Sequence, residues 1–419
     1  MGVLHTPRLP GLNGRLAVIG GGFVGLNVAV HGALRGLDVI VVDVNRRVVE
    51  LINSGVPSVR DVYVVENWVK SRDRIRATTE YPEVNDATWV VVAVNTPMKV
   101  YGRRLVDMLE SDRGSMDDYI DFNPVEVAGR RLGEVVRAGT LVSSEVTIYP
   151  GGTVERLGSG IEGSSKHKLG ETLQLVHSPE RINPGDRVWN ISNIPRVLGG
   201  LGDASVKAGI KFYKEILGIP VAKATGLVEA ELSKLIENAQ RLTSITLVSS
   251  IKAVSDTVKV DFYEALEGAS TKPFGFQRYR PGYAGGPCLV KDTLMLYLWM
   301  RDRAPRSPFK GLLKQAIVLN ELYLEHLASR VEEVARDRGA KRILFHGLGY
   351  KLGSPFFVSE DINVVWRLMR ELETRGFHVG AYDPEIPERS NFKNFEEARE
   401  WADLVVGWGR EGDINLEHL

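Results

Sequence analysis

RLAVIGGGFVGLNVAVHGALRGLDVIVVD, residues 15–43, decides the fold. Residues 15–19 form an apolar run too short for a helix, and three glycines stop it. From Phe23 the apolar residues recur at helical spacing as far as Arg35. Residues 37–42 (LDVIVV) are apolar but for Asp38, and the run closes on Asp43. Strand, glycine turn, helix and strand make a βαβ unit, and unbroken Val/Ile strands belong to a parallel sheet covered on both faces. Inside the unit, Gly20-Gly21-Gly22-Phe23-Val24-Gly25 is a G-x-G-x-x-G run. Gly20 permits the tight turn, Gly22 lets the backbone approach a pyrophosphate, and Gly25 lets helix and strand pack closely. The phosphates then sit on the helix N-terminus, which Phe23 and Val24 open. Asp43, 18 residues beyond Gly25, stands where a carboxylate binds a ribose hydroxyl pair. It repels a 2′-phosphate and so favours NAD over NADP, although Arg46 and Arg47 behind it are candidate partners for that phosphate.

Working outward, residues 88–94 (TWVVVAV) and 140–146 read as further strands. Residues 226–259 carry few breakers and a helical pattern, which predicts one long helix linking domains. A Gly/Pro-rich loop follows over 273–287, then a helical stretch over 291–300. The opening pattern then returns in miniature. Residues 342–346 are a strand followed by Gly347 and Gly349, 361–375 a helix, 377–382 a strand ending in Asp383, and 403–406 a further strand. The expected fold class is α/β: two doubly wound domains joined by a central helical region with one long helix. The expected domains are residues 1–216, 217–325 and 326–419.

The 419 residues carry 53 basic and 53 acidic side chains, so there is no global positive field to hold nucleic acid. With 43% hydrophobic and 25% charged residues the chain is not a disordered one. No run approaches the roughly 20 apolar residues of a membrane span. The N-terminus lacks the apolar core of a signal peptide, though Gly2 and Thr6 satisfy the literal myristoylation pattern. The cytoplasm is the expected compartment, and no metal is expected. A single cysteine, Cys288, excludes an intrachain disulfide and a Cys-based zinc site.

Cys288 lies in Pro281-Gly-Tyr-Ala-Gly-Gly-Pro-Cys-Leu-Val-Lys-Asp292. Most lone cysteines are small buried hydrophobes. Here Gly282, Gly285 and Gly286 allow close approach of a ligand, and Lys291 is placed to favour a thiolate. Nucleophile and packed hydrophobe both stand on the local pattern.

Further segments extend the picture: Val94-Asn-Thr-Pro97, Glu145-Val-Thr-Ile-Tyr-Pro-Gly151 and His177-Ser-Pro-Glu-Arg-Ile-Asn-Pro-Gly-Asp186. To these add Glu231-Leu-Ser-Lys-Leu-Ile-Glu-Asn238, Gly347-Leu-Gly-Tyr-Lys351 and Tyr382-Asp-Pro384. With the glycine run and the cysteine loop they resemble, over residues 15–406, the UDP-glucose/GDP-mannose dehydrogenase family. The resemblance implies oxidation of the C6 alcohol of a UDP- or GDP-sugar to a carboxylate, two NAD molecules each taking one hydride. It implies that Cys288 traps the aldehyde as a thiohemiacetal that becomes a thioester. Lys234 is then the oxyanion stabiliser, Asn238 holds sugar or water, Thr147 and Asp292 position water, and Glu180 is the base for hydrolysis. Thr96, Thr147 and Lys291 are implied at the cofactor. Glu180, Arg181, Lys234, Asn238, Arg241, Gly282, Gly285 and Lys351 are implied at the substrate. Spacing agrees independently for Lys234, Asn238 and Arg241, which at i, i+4 and i+7 share one helix face.

The sequence departs from the family pattern at Asn95 and Pro287, and at Val358, where an arginine is usual. The loop 352–361 departs more generally. The segments 180–185 and 270–276 resemble the branch acting on UDP-N-acetylhexosamines, whereas Cys288-Leu-Val-Lys-Asp292 resembles the UDP-glucose branch. UDP-N-acetylmannosamine or -glucosamine is the favoured substrate, with UDP-glucose and then GDP-mannose behind. Two alternatives remain: a single-hydride β-hydroxyacid dehydrogenase, and a catalytically silent nucleotide-sugar binding protein. The apolar positions of the long helix suggest a homodimer face.

Overall fold

The computed structural model describes residues 14–352, 354 and 356–419, so the Gly2/Thr6 pattern and two positions of the 352–361 loop lie outside the described residues. The chain divides into two compact units, residues 1–97 with 120–235, and residues 98–119 with 236–419.

The first unit is built on an eight-stranded sheet. Its strands are β1 (Arg15–Ile19), β2 (Asp38–Val42), β3 (Ile75–Thr78), β4 (Trp89–Val92), β5 (Leu141–Ser144), β6 (Gln174–His177), β7 (Arg196–Gly200) and β8 (Val221–Gly226). They lie in the order β3-β2-β1-β4-β5-β6-β7-β8. The order reverses direction at β1, so the crevice beyond its carboxyl end is the ligand-binding switch point of an open α/β sheet. Strands β1 to β6 run parallel, but β6 and β7 pair antiparallel through Val176 and Gly200, and β8 then runs parallel to β7. The helix Phe23–Leu34 is buried from Gly25 to Ala33, because it lies on the sheet with further helices over it. Leu16, Leu26, Val30, Trp68, Phe212 and Tyr213 belong to the core cluster around it.

The sequence marks β1, β2, β4 and β5 but not β3 or β6 to β8. The edge strand β8 (VAKATG) is only partly buried and carries an exposed lysine, so it offers no apolar run to recognise.

The second unit contains a four-stranded parallel sheet in the order β10-β9-β11-β12: β9 (Arg342–His346), β10 (His378–Tyr382), β11 (Leu404–Gly407) and β12 (Ile414–Asn415). The long helix is Leu227–Thr257, 31 residues, against the expected 226–259. A second long helix, Gly311–Asp337, was not expected. Its buried Ala316, Asn320, Leu324, Leu327, Val331 and Ala335 follow helical spacing, and Leu324 to Ala335 join the core of the four-stranded sheet. The central helical region after Leu235 and the C-terminal sheet fall in this one unit.

Candidate active site

In the first unit the glycine turn is preformed. Gly20 has φ +102°, where only glycine is comfortable, and a Cβ on Gly25 would lie 1.8 Å from the Gly20 carbonyl oxygen. Among the described residues a Cβ on Gly22 would meet nothing within 4 Å, so the turn is open at that glycine. Gly22 is the N-cap of the helix Phe23–Leu34 and has no side chain to satisfy the first N–H groups, Phe23 and Val24 among them. Asp43 fastens the turn from the end of β2: its Oδ2 accepts the Gly21 N–H at 2.7 Å and its Oδ1 accepts the Asn45 N–H at 2.8 Å. An open helix N-terminus with a carboxylate one strand away fits a dinucleotide, the pyrophosphate on the amides and the ribose at Asp43.

The loops after β4 and β5 are tied together, the Thr96 hydroxyl donating to the Thr147 carbonyl at 3.0 Å. The loop beyond Thr147 is held by Glu231, which the sequence reading did not single out. This buried side chain on the long helix accepts N–H bonds from Gly151 at 2.5 Å and Thr153 at 2.8 Å. Burial raises its carboxyl above the usual range. Lys234 lies one turn further on and is half-buried.

Glu180 follows β6, is buried, and accepts N–H bonds through Oε1 from Arg181 at 2.6 Å and Ile182 at 2.7 Å. Its other oxygen faces Arg196, a second residue that sequence reasoning missed and one that is only 1% exposed. The Arg181 guanidinium turns to the Pro195 carbonyl, 2.9 Å away. His177 is driven down to about 3 by complete burial and is therefore neutral; its Nδ1 lies 3.1 Å from the Thr153 hydroxyl.

In the second unit, Cys288 is exposed and is the N-cap residue of the helix Leu289–Arg303. It is therefore not the packed hydrophobe that the local pattern left open. Asp292, on the first turn, is fully buried and donates its N–H to the Cys288 carbonyl at 2.8 Å. Its carboxylate receives the Asn238 amide and, at 2.8 Å, the Lys291 ammonium. Ammonium, carboxylate and amide thus meet at the first turn of the helix that Cys288 caps.

The loop before the cysteine is clamped. Ala284 donates to Asn320 Oδ1 at 2.8 Å, the Gly282 N–H reaches the Ser249 hydroxyl at 3.0 Å, and the Gly286 N–H reaches the Ile362 carbonyl at 2.9 Å. A Cβ on Gly285 would lie 2.9 Å from that same carbonyl, and one on Gly286 would lie 3.0 Å from the Tyr350 ring. The cysteine loop and the Gly347–Lys351 turn therefore pack together. Lys351 sits over the Tyr350 ring, 5.6 Å from its centre, and Arg241 is exposed.

The candidate residues thus fall into two sets. Gly20 to Gly25, Asp43, Thr96, Thr147, Glu180, Arg181 and Lys234 belong to the first unit. Asn238, Arg241, Gly282, Gly285, Cys288, Lys291, Asp292 and Lys351 belong to the second.

The glycine turn, the acid at the next strand and the doubly wound sheet define a dinucleotide-dependent oxidoreductase. Residues 14–217 match the UDP-glucose/GDP-mannose dehydrogenase family, NAD binding domain, and residues 228–321 match its central domain. Protein CapL of Staphylococcus aureus is 31% identical over 92% of this chain and 85% of its own length. The UDP-N-acetyl-D-glucosamine 6-dehydrogenase of Pseudomonas aeruginosa is 27% identical over 88% of this chain and 82% of its own length. The solved UDP-N-acetyl-D-mannosamine dehydrogenase of Pyrococcus horikoshii superposes with a TM-score of 0.80 at 27% identity, covering 94% of this chain and 88% of that one. The chain belongs to the UDP-glucose/GDP-mannose dehydrogenase family, and is an NAD-dependent nucleotide-sugar dehydrogenase.

Proposed function

We propose that the chain oxidises the C6 alcohol of a UDP-N-acetylhexosamine, N-acetylmannosamine or N-acetylglucosamine, to the uronate, with UDP-glucose as the second reading of the substrate. The observation that carries the chemistry is the exposed Cys288 at a helix N-terminus with Lys291, Asp292 and Asn238 around it. A helix N-terminus and a neighbouring ammonium stabilise a thiolate. The glycine turn and Asp43 would hold NAD, which would supply the hydride acceptor for each oxidation. The Cys288 sulfur adds to the C6 aldehyde, giving a thiohemiacetal that the second oxidation turns into a thioester. Water then breaks the C–S bond, releasing the carboxylate and the thiolate. Glu180 takes the proton of that water, Thr147 and Asp292 position it, and Lys234 stabilises the oxyanion. Arg181, Asn238, Arg241, Gly282, Gly285 and Lys351 are assigned to the nucleotide sugar, and Thr96, Thr147 and Lys291 to the cofactor side. Residues 1–216 are assigned to cofactor, 217–325 to the cysteine loop and 326–419 to the UDP moiety. The substrate branch follows the resemblance of segments 180–185 and 270–276 and the named activities of the Pseudomonas and Pyrococcus relatives.

The assignment includes a homodimer. Leu247, Ile251 and Val254 on the long helix are 61%, 50% and 63% exposed, Val258 in the turn just beyond it is 60% exposed, and the spacing makes one apolar stripe. An exposed, functional thiol also suits a reducing compartment, which we take to be the cytoplasm. Among the described residues no helix is long and apolar enough to cross a membrane.

The test is a panel of UDP-N-acetylmannosamine, UDP-N-acetylglucosamine, UDP-glucose and GDP-mannose with NAD. Two NADH per sugar are expected, and Cys288→Ser should lower turnover about a thousandfold while leaving NAD affinity unchanged. Release of aldehyde after one NADH, or full activity in the serine variant, defeats the thioester route. Heat of sugar binding without NADH from any member would mark a silent binding protein. Light scattering from a monomer in the same sample would remove the dimer.

A further inference from the structure

Beside Glu180 the first unit encloses one cation between two carboxylates. Glu145 directly follows β5, Arg196 opens β7, and Glu180 lies just beyond β6, so the three converge across adjacent strands. Arg196 Nη1 is 3.3 Å from Glu145 Oε2, and Nη2 is ion-paired with Glu180 Oε2. Among the described residues those two carboxylate oxygens and Nη2 make no aligned hydrogen bond, so charge holds the guanidinium to the carboxylates, while Nη1 donates to the Pro179 carbonyl at 3.4 Å. Tyr213 lies under it, ring centre 5.6 Å away, and donates its hydroxyl hydrogen to Glu145 Oε1 at 2.7 Å. The Ser143 hydroxyl is 2.7 Å from the same phenol oxygen. His31 also senses the Arg196 charge, but burial pushes it down to about 4, so at neutral pH it is uncharged.

One guanidinium cannot neutralise two buried carboxylates. With both ionised, the cluster holds an uncompensated negative charge in a low dielectric, and one proton relieves it. Glu180 has no idle oxygen, since Oε1 takes two backbone N–H groups and Oε2 takes Arg196. To act as a base it must get one back, and Glu145 is the group placed to take the guanidinium from it.

We propose that Glu145 is a positioning residue for Glu180: ionised, it draws Arg196 away from Glu180 Oε2 and frees that oxygen; protonated, it leaves Arg196 clamped there. The proposal rests on the reading of Glu180 as hydrolytic base. Burial raises the Glu145 carboxyl to about 7, the Glu180 charge adding to the rise and Arg196 and the Tyr213 hydroxyl opposing it. Below that pH Glu145 is neutral and the clamp is closed. Above it Glu145 is charged and the clamp opens, so hydrolysis rises with pH through the neutral range.

The experiment uses the full chain in two arms. Infrared difference titration without substrate should show a buried protonated carboxyl disappearing near neutrality, a signal missing from Glu145→Gln. Turnover, read as NADH with the UDP-sugar of the panel that reacts, should rise through the same pH range. Glu145→Gln imitates the closed clamp, so its turnover should lie about tenfold or more below the parent at pH ~8, with a flat profile and an unchanged KM. Tyr213→Phe removes the hydroxyl that favours ionised Glu145, so its limb should move to higher pH with the plateau retained. It also serves if the glutamine variant does not fold. A limb that stays in place in both variants, or a carboxyl signal that persists in Glu145→Gln, overturns the proposal. Glu180→Gln separates the two ideas: hydrolysis at the parent rate would remove Glu180 as the base. Slow hydrolysis there, beside an unmoved limb in Glu145→Gln and Tyr213→Phe, would remove only the control by Glu145.

Discussion

Two glycine turns in this chain each follow a strand of a parallel sheet, and they are built alike up to the point where their uses part. Gly20 and Gly347 open them with φ of +102° and +108°. An aspartate at the end of the next strand fastens each, Asp43 taking the Gly21 N–H at 2.7 Å and Asp383 the Leu348 N–H at 2.8 Å. Beyond that they diverge. After the first turn a helix starts at Phe23, with an exposed glycine as its N-cap. After the second, the next helix waits until Val364, and Asn363 caps it, accepting the Trp366 N–H and donating to the Leu348 carbonyl. Asp43 stays partly wet, whereas Asp383 is 2% exposed and pairs with Arg410 at 3.1 Å. The motif of strand, glycine and acid thus builds a turn in both places. It offers the geometry of an anion site where the helix N-terminus and the acid are left open.

The largest effect that would sharpen this contrast is at the third glycine of the first turn. Gly25→Val drives side-chain carbons into the Gly20 carbonyl and should cost about 3 kcal/mol or more, roughly 10 °C in melting temperature. Gly22→Ala points into open space, so its melting temperature should hold while the KM for NAD rises. Equal melting temperatures for the two variants would break the packing argument.

Next come the aspartates. Asp383→Ala leaves the Leu348 and Glu385 N–H groups without their acceptor and Arg410 with Glu385 alone, and should lower stability by about 2 kcal/mol in denaturant titration, with NAD affinity unchanged. Asp43→Ala should do the reverse, raising the NAD KM about tenfold with a small stability loss. Matching phenotypes would make both acids structural.

The smallest effect concerns acid. The helix behind the first turn carries His31, while Val364–Thr374 behind the second has no histidine. His31 Nε2 donates to the Leu217 carbonyl at 2.8 Å and Nδ1 accepts from the Tyr63 hydroxyl at 2.7 Å, which requires the neutral ring. Burial lowers it to about 4, so the unfolded chain binds the proton first. Its stabilising share is therefore whole above pH ~6.5 and lost as pH falls toward 4, about 2 kcal/mol by pH ~5. The fall in melting temperature across that range should become shallower in His31→Gln, the share of His177, which burial also keeps neutral, remaining; an unchanged slope would assign the acid lability elsewhere.

The strands β1 and β9 and the long helix were legible in the sequence because each is a long or uniform local pattern. The strand β8 and the helix Gly311–Asp337 were not. One is an edge strand with little to bury, and the apolar positions of the other are interleaved with charge. At the site, Cys288 and its glycines could be read because they are contiguous. Arg196 and Asn320 could not, being solitary polar residues whose partners lie far along the chain, and Glu231, though it opens a quoted motif, shows its part only by reaching back 80 positions to Gly151, as Asn320 reaches 36 to Ala284.

The order of residues alone determined the βαβ opening, the glycine turn and the presence of one thiol in a glycine loop, since periodicity and glycine placement act between near neighbours. Folding decided which acid is wet and which is buried, which loops are clamped, and that two carboxylates must share one guanidinium. Burial and charge pairing depend on what distant segments bring together, and no local pattern carries that information.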